Sequence, residues 1–328
     1  MKVLALDFGG SSVKYAVVDE NGKMEYRGKK PAPLDSPEQF VDTVNEIYEP
    51  VKDQVAGIGI SLPGNIDPET GKLFTNGVYT QLYGYEIPEL IAKKCPVPVA
   101  VENDGKCGAL SEAWMGGLAD CKDGAVVILG SGIAGGLIKD HKIHSGRDFN
   151  AGEFSYLITN PDDPTMFSCA FANSAMLGIT YKLCKKKNLD LDFQDSAPTM
   201  HFLDDKYHDH FPTPAGEVKQ IKADGRQFEA WVNEGDPDAL EVYHDLVRSL
   251  AVLIFNVQIC YAPDRIVVGG GLSKQTGIFP DLAAELTRYA DAIGIPENMR
   301  AVVVPSTFRD ECNLLGATYN FMIRKGEN

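Results

Sequence analysis

The sequence predicts an α/β protein built from two similar halves. Near the N-terminus, one apolar strand pattern ends in "DFGG" and a second follows almost at once, which is typical of a β-hairpin with a glycine-rich tip. The same arrangement recurs at "AVVILGSG". Each hairpin is followed by alternating strand and helix patterns, which favours sheets covered by helices. We therefore expect one internal duplication of an α/β unit.

The first half carries ordinary start and stop signals. Strands are predicted at "KVLALDF", "VKYAVVD" and "MEYRGKKPA". A helix is predicted from Ser36, because serine caps helices and Pro37 suits a first turn. The remaining elements are strands beginning near Val55 and Val97 and a helix that stops at Gly116-Gly117.

The second half opens with its own hairpin. Its strands are "AVVILGSG" and "GLIKDHKI", with the turn predicted at Ile133 to Gly136. The later predictions are a helix near 173–187, an irregular polar stretch from Asn188 to about Gly225, a long helix between Pro237 and Pro263, a buried strand "RIVVGGG", an amphipathic helix "FPDLAAELTRYADAIG", a strand "RAVVVPS" and a closing helix "NLLGATYNFMIRK".

Composition narrows the classes of function. The 328 residues suffice for two domains, and the net charge of −15 argues against a nucleic-acid partner. No apolar run reaches the roughly 18–20 residues that a membrane span needs. The seven cysteines form no C-x-x-C pair, which is typical of reduced thiols in the cytoplasm. We expect a cytoplasmic protein without a membrane or nucleic-acid partner.

The second hairpin also matches the G-x-G-x-x-G fingerprint of dinucleotide-binding proteins, through Gly130, Gly132 and Gly135. That fingerprint requires a helix directly after the glycines, with the pyrophosphate at its N-terminus. Leu137 and Ile138, followed by "KDHK", favour a strand instead. We therefore interpret the glycines as a phosphate-binding hairpin tip. The alternative interpretation, an NAD enzyme, requires the segment with Leu137 and Ile138 to be helical.

Glycine-tipped hairpins suit phosphate because their backbone N–H groups form concave anion sites and glycine lets the backbone approach closely. Asp7, at the end of the first strand, could hold Mg²⁺ through water. The further candidates for nucleotide contacts are Gly9, Gly10, Ser11, Ser12 and Lys14 at the first tip, Gly130, Ser131, Gly132 and Gly135 at the second, and Gly269, Gly270 and Gly271 against the nucleoside.

Six segments, taken together and in order, resemble the ROK family of sugar kinases in the actin/hexokinase-like ATPase superfamily. They are "LALDFGGSSVKYAVVD", "GISLPGNID", "VENDGKCGALSEAWMGG", "ILGSGIAGGLIKD", "NAGEFSYL" and "IVVGGGL". The resemblance implies two RNase H-like lobes with ATP, Mg²⁺ and a sugar in the interlobe cleft, and a homodimer. We expect lobes at 1–106, with a C-terminal helix at 311–328 packed back on it, and at 107–310, with a polar insertion near 188–225.

The resemblance also assigns roles to single residues. Asp104 matches the family's catalytic base, while Asn103, Gly64, Asn65 and Glu153 match positions that hold sugar hydroxyls. A carboxylate there suits phosphoryl transfer, which needs a positioned hydroxyl and an acceptor for its proton. The other interpretation of Asp104 is a helix N-cap, a position that aspartate also favours.

The chain departs from the family pattern at its zinc site. Typical members have a His three residues after the "AGE" glutamate and a cysteine-rich segment beyond it; here Tyr156 takes the His position and Cys169 stands alone. One thiol cannot form a tetrahedral site, so we expect no structural zinc. An aromatic ring at Tyr156 would stack on a group attached to the sugar.

This zinc-less pattern resembles bacterial β-glucoside kinases. The resemblance implies transfer of the γ-phosphate of ATP to the 6-hydroxyl of a glucosyl unit, as in cellobiose. A kinase for glucose, fructose or N-acetylmannosamine stays open. A ROK-type repressor is a more remote alternative, because such proteins carry an N-terminal helix-turn-helix and this chain reaches its first hairpin at once.

Overall fold

A computed structural model describes residues 1–75, 77–274, 278–308 and 311–326. The strands are β1 (Lys2–Phe8), β2 (Ser12–Asp19), β3 (Met24–Pro31), β4 (Ile58–Leu62), β5 (Asn65–Asp67), β6 (Lys72–Thr75), β7 (Val99–Asn103), β8 (Gly124–Leu129), β9 (Ile133–Lys139), β10 (Lys142–Ile143), β11 (Arg265–Gly270) and β12 (Val303–Pro305). The helices are α1 (Pro37–Tyr48), α2 (Ile87–Ile91), α3 (Asp104–Met115), α4 (Ala170–Ser174), α5 (Met176–Lys187), α6 (Ala197–Tyr207), α7 (Gly225–Asn233), α8 (Pro237–Tyr261), α9 (Ile278–Ile293) and α10 (Cys312–Gly326).

The two main sheets have the same strand order. The first is β3-β2-β1-β4-β7 and the second is β10-β9-β8-β11-β12. In the first sheet the hairpin strands pair antiparallel, and β4 then pairs parallel with both β1 and β7. A short ribbon of β5 and β6 stands apart from both sheets. The predicted duplication of a hairpin-initiated α/β unit is therefore confirmed.

Backbone contacts divide the chain into two compact units. Unit 1 comprises Met1–Val126, Gly135–Gly152 and Ser306–Asn328, and unit 2 comprises Val127–Ala134 and Glu153–Pro305. The predicted lobes at 1–106 and 107–310 stay a prediction.

The sheet of unit 1 carries helices on both faces. On one face, α1 and α2 bury a large apolar core against β1, β2 and β4, with Phe8, Phe40 and Ile60 among the fully enclosed side chains. On the other face, Leu314 and Leu315 of α10 pack on Ala5 and Ala16. The backbones of α10 and α3 also approach so closely at Gly316 that a Cβ there would collide with the Cys107 carbonyl. This packing fixes α3, which begins at Asp104.

The second hairpin is confirmed, but its turn was placed wrongly. Ile133 to Gly136, predicted as the turn, lie in β9, and the tip is Gly130 to Gly132. Gly136 is glycine for a packing reason, since a Cβ at this position would lie 2.6 Å from the Cβ of Ala109 on α3. Leu137 and Ile138 are in a strand, so the condition for a dinucleotide-binding helix is not met.

The segment predicted as irregular contains a helix. α6 begins just before Pro198, and a proline in the first turn is tolerated because its missing N–H has no helical partner there. Met200 and Leu203 of α6 pack with Phe167 and Tyr181 in a buried cluster. The predicted helix at 173–187 is two helices, α4 and α5, which meet at the extended residue Ala175. In the described residues, no helix is both long and apolar enough to cross a membrane.

Candidate functional site

Asp104 is the first residue of α3, directly after β7. The cap is Asn103, whose side-chain oxygen accepts a hydrogen bond from the Lys106 amide at 3.1 Å, so the N-cap interpretation of Asp104 is wrong. One carboxylate oxygen of Asp104, Oδ1, accepts hydrogen bonds from the Gly105 amide at 2.8 Å and from Asn103 Nδ2 at 3.0 Å. The other, Oδ2, accepts none from the described part of the chain. Asp104 therefore has a fixed carboxylate with one oxygen available to a ligand.

The surroundings of Asp104 suit a group that accepts a proton. Burial raises the pKa of its carboxyl above the ordinary value, and the nearby negative charge of Asp7 raises it further. The hydrogen bonds from Gly105 and Asn103 act in the opposite direction. A carboxylate with a raised pKa is a stronger base than one in water.

Asp7 is held by two side chains from distant parts of unit 1. Ser61 Oγ on β4 and Asn313 Nδ2 on α10 each donate to Asp7 Oδ1 at 3.0 Å. The second oxygen, Oδ2, accepts no hydrogen bond from the described residues. An oriented carboxylate with one open oxygen fits a Mg²⁺-bound water, since Mg²⁺ keeps several of its waters in protein sites. Sequence reasoning missed Ser61 and Asn313.

The predicted sugar loop lies next to Asp104. Asn103 Nδ2 donates to the Gly64 carbonyl at 3.1 Å, and Gly64 has a φ of 125° that L-residues rarely adopt. Asn65, the next residue, donates from Nδ2 to Asn150 Oδ1 at 2.6 Å. The structure thus brings together Asn103, Asp104, Gly64 and Asn65, as predicted, and adds Asn150.

The first hairpin tip presents unused backbone donors. The Gly9 amide bonds the Ser12 carbonyl at 2.9 Å, and the Gly9 carbonyl accepts from the Tyr79 hydroxyl at 2.8 Å. The amides of Gly10 and Ser11, both exposed, donate to no acceptor in the described ranges. Such a pair of free N–H groups is what an anion site needs.

Two further candidates at this tip lie on β2, Ser12 and Lys14. Lys14 pairs in register with Asp7 across the hairpin.

The second tip repeats this arrangement in unit 2. The Gly130 amide bonds the Gly132 carbonyl at 2.9 Å, and the Gly130 carbonyl accepts from the Met176 amide at the start of α5. Ser155 Oγ clamps the hairpin at Ile133 by bonding both its amide and its carbonyl. As far as the structure describes the chain, the amides of Ser131 and Gly132 have no acceptor.

Gly135, the last glycine of the fingerprint, is buried within β9 and not at the tip. There it packs against Gly152, at which a Cβ would lie 3.1 Å from the Gly135 carbonyl oxygen.

The glycines after β11 differ in their surroundings. Gly269 is buried in the strand, whereas Gly270 has a φ of 92° and leaves no room for a Cβ against the backbone of Leu129. Gly271 is exposed, with open space around it. Of the three, Gly271 is best placed to line a ligand.

Glu153 and Tyr156 lie at the start and the end of a short 3₁₀ turn in unit 2. Glu153 is half-buried, and Tyr156 is 66% exposed. Within the described residues, no three His, Cys, Asp or Glu side chains are grouped so that they could hold a metal ion.

A model of the ROK family matches residues 3–322. The chain is similar to a β-glucoside kinase of Listeria monocytogenes, with 24% identity over 98% of both chains. It is also similar to an N-acetyl-D-glucosamine kinase of Escherichia coli O157:H7, with 30% identity over 86% of this chain and 88% of that one.

Among solved structures, it resembles a ROK family glucokinase of Streptomyces griseus in complex with glucose and AMPPNP. The TM-score is 0.72 at 20% identity, over 97% of this chain and 98% of that one. The fold class predicted from the sequence, an actin/hexokinase-like α/β fold, is confirmed.

Proposed function

The chain belongs to the ROK family and is one of its sugar kinases, and we propose that it phosphorylates the 6-hydroxyl of the glucosyl unit of β-glucosides such as cellobiose. The observation that carries the chemistry is the Asp104 carboxylate, with one oxygen fixed, one oxygen open and a raised pKa. We propose Asp104 as the catalytic base.

In the proposed reaction, Asp104 Oδ2 accepts the proton of the sugar hydroxyl while the hydroxyl oxygen forms a bond to the γ-phosphorus of ATP and the bond to ADP breaks. Asn103, Gly64 and Asn65 hold the other hydroxyls, so that the reacting oxygen faces the phosphate. Glu153, in unit 2, is proposed as a further sugar ligand.

The free amides of each hairpin tip are proposed as donors to phosphate oxygens. Mg²⁺, when bound with ATP near Asp7, supplies positive charge against the negative charge of the phosphates.

Two observations support a β-glucoside as the substrate. Similarity to β-glucoside kinases spans nearly the whole chain, and Tyr156 offers an exposed ring in place of the histidine of zinc-bearing relatives. The rival is an amino-sugar kinase, because the N-acetylglucosamine kinase relative has the higher identity over a shorter match.

Initial rates of ADP formation from ATP and Mg²⁺ would decide between these substrates. We expect kcat/KM for cellobiose to exceed the values for glucose, N-acetylglucosamine and N-acetylmannosamine by at least about tenfold, a difference of about 1.4 kcal/mol in transition-state stabilisation. A higher value for any of the three monosaccharides would refute the β-glucoside assignment.

The homodimer and the cytoplasmic location are also proposals. The seven cysteines are free in the structure, which is compatible with a reducing compartment. Light scattering after size-exclusion chromatography should give about twice the 35.7 kDa chain mass, and a mass of one chain would contradict the dimer.

A further inference from the structure

Two aromatic rings, the exposed Phe74 and the half-buried Phe149, lie beside the predicted sugar loop of unit 1. The rings of Phe74 on β6 and Phe149 stack with centroids 6.0 Å apart and planes 20° from parallel. Phe74 is 42% exposed, and Lys72 Nζ lies 5.5 Å from the centroid of its ring. A stacked aromatic surface with a cation at its side has the character of a ligand-binding surface, because such rings are normally buried.

Both rings are sequence neighbours of residues that contact Asn65, a residue of the proposed sugar site. Phe74 precedes Thr75, which pairs with Asn65 across the β5–β6 ribbon. Phe149 precedes Asn150, whose side chain accepts the hydrogen bond from Asn65. The aromatic pair is therefore adjacent to the Asn65–Asn150 contact at the edge of the proposed sugar site.

The position of Phe149 is built into the fold. Asp148 and Phe149 have φ values of 51° and 60°, a left-handed conformation that is unfavourable for residues other than glycine. The Phe149 carbonyl accepts a hydrogen bond at 2.7 Å from Lys106 Nζ, and Lys106 is a lysine of α3 with 1% exposure. A buried lysine bonds this loop carbonyl, and two neighbouring residues adopt unfavourable backbone conformations. Such strain is typical of functional sites, so we infer that the fold holds this loop in place for a ligand.

The geometry points to a second subsite: we propose that Phe74 and Phe149 bind the group attached to the anomeric carbon of the phosphorylated glucosyl unit, either a second pyranose or an aromatic aglycone. This inference rests on the proposed function. The apolar face of a pyranose ring, or an aryl ring, packs on the exposed ring of Phe74 and the accessible part of Phe149, while Asn65 and Asn150 bond the hydroxyls of the first sugar. Free glucose carries no substituent on its anomeric carbon that could contact Phe74 and Phe149.

The experiment compares Phe74→Ala and Phe149→Ala with a control, Phe193→Ala, which removes a phenylalanine of unit 2 whose exposure (41%) matches that of Phe74. The substrates are cellobiose, p-nitrophenyl β-glucoside, methyl β-glucoside and glucose. We expect both variants to lose about 3- to 10-fold in kcat/KM for the first two, mainly through KM, a size typical of one aromatic contact. Methyl β-glucoside and glucose should change less than about twofold. The control should match the wild type with all four.

Phe74→Trp separates recognition from folding, because it keeps a stacking ring and should retain the preference for cellobiose. Equal losses with all four substrates, or no loss with cellobiose, would overturn the subsite. If the wild type phosphorylates monosaccharides but not β-glucosides, the proposed function fails first and the subsite fails with it. If the wild type prefers β-glucosides and the variants keep that preference, only the subsite is wrong.

Discussion

Replacement of Asp104 by asparagine should abolish most of the activity while leaving the fold intact. The asparagine oxygen can still accept the hydrogen bonds that Oδ1 receives from Gly105 and Asn103, so the start of α3 is preserved. An amide NH₂ group replaces the open oxygen, and this group cannot accept a proton. Positioned proton acceptors contribute about 10²–10⁴-fold to rates, which is about 3 to 5 kcal/mol of barrier. We expect kcat/KM for ATP-dependent phosphorylation to fall by that factor.

The pH dependence and the stability supply independent readouts. In the wild type, kcat/KM should fall as the pH drops through the raised pKa of Asp104, because only the ionised form accepts the proton. A carboxyl whose pKa is higher in the folded than in the unfolded state binds more protons when folded, so it lowers stability as pH rises through the folded value.

The melting temperature of Asp104→Asn at neutral pH should therefore equal or exceed that of the wild type. A variant that keeps more than about a tenth of the wild-type kcat/KM would refute Asp104 as the base, since the loss would then lie well below the usual contribution.

Three further predictions follow from other contacts. Asn313→Ala removes one of two donors to Asp7 and should lower kcat/KM by about 10- to 100-fold, the worth of a hydrogen bond to a charged group; a Mg²⁺ titration should show weaker apparent affinity, and an unchanged titration would contradict the positioning of Asp7. Ser36→Ala removes the α1 cap and should cost about 1 kcal/mol of unfolding free energy in urea, without changing kcat; an unchanged midpoint would be the contrary result. Chelation by EDTA should leave the melting temperature of the nucleotide-free protein unchanged, whereas a large drop would reveal a structural metal.

Local signals in the sequence were enough to predict most elements of the fold. Ser36 and Pro37 begin α1, and α8 runs from Pro237 to Tyr261, two residues before Pro263. These predictions of helix ends succeed because capping residues and prolines act on backbone groups close to them in the sequence.

The errors arise where a residue serves packing or lies in an unusual position. Gly135 and Gly136 were interpreted as a turn, but they are strand residues that accept close neighbours, Gly152 and Ala109. α6 lies in the stretch from Asn188 to about Gly225 that the sequence predicts as irregular, and its Pro198 stands in the first turn, where proline does not break a helix. A glycine or proline marks a constraint without stating whether the constraint is local or tertiary.

The candidate site likewise contains residues that a local motif marks and residues that only the tertiary fold brings together. Asp7, Asn103 and Asp104 belong to short motifs and could be predicted from the sequence, and their roles as ligands and base stay predictions. Ser61 and Asn313 reach Asp7 from 54 and 306 residues away, and no local pattern marks them. Such contacts exist only because the sheet and α10 bring the segments together.

The position of the phosphate on the product tests the proposed reaction directly. Cellobiose, ATP and Mg²⁺ are incubated with the wild-type protein, and the product is analysed by phosphorus–proton correlation NMR. We expect coupling of the phosphorus to the two protons at C6 of the non-reducing glucose, with no such product from Asp104→Asn. Phosphate on any other carbon, or ADP formed without a phosphorylated disaccharide, would contradict it.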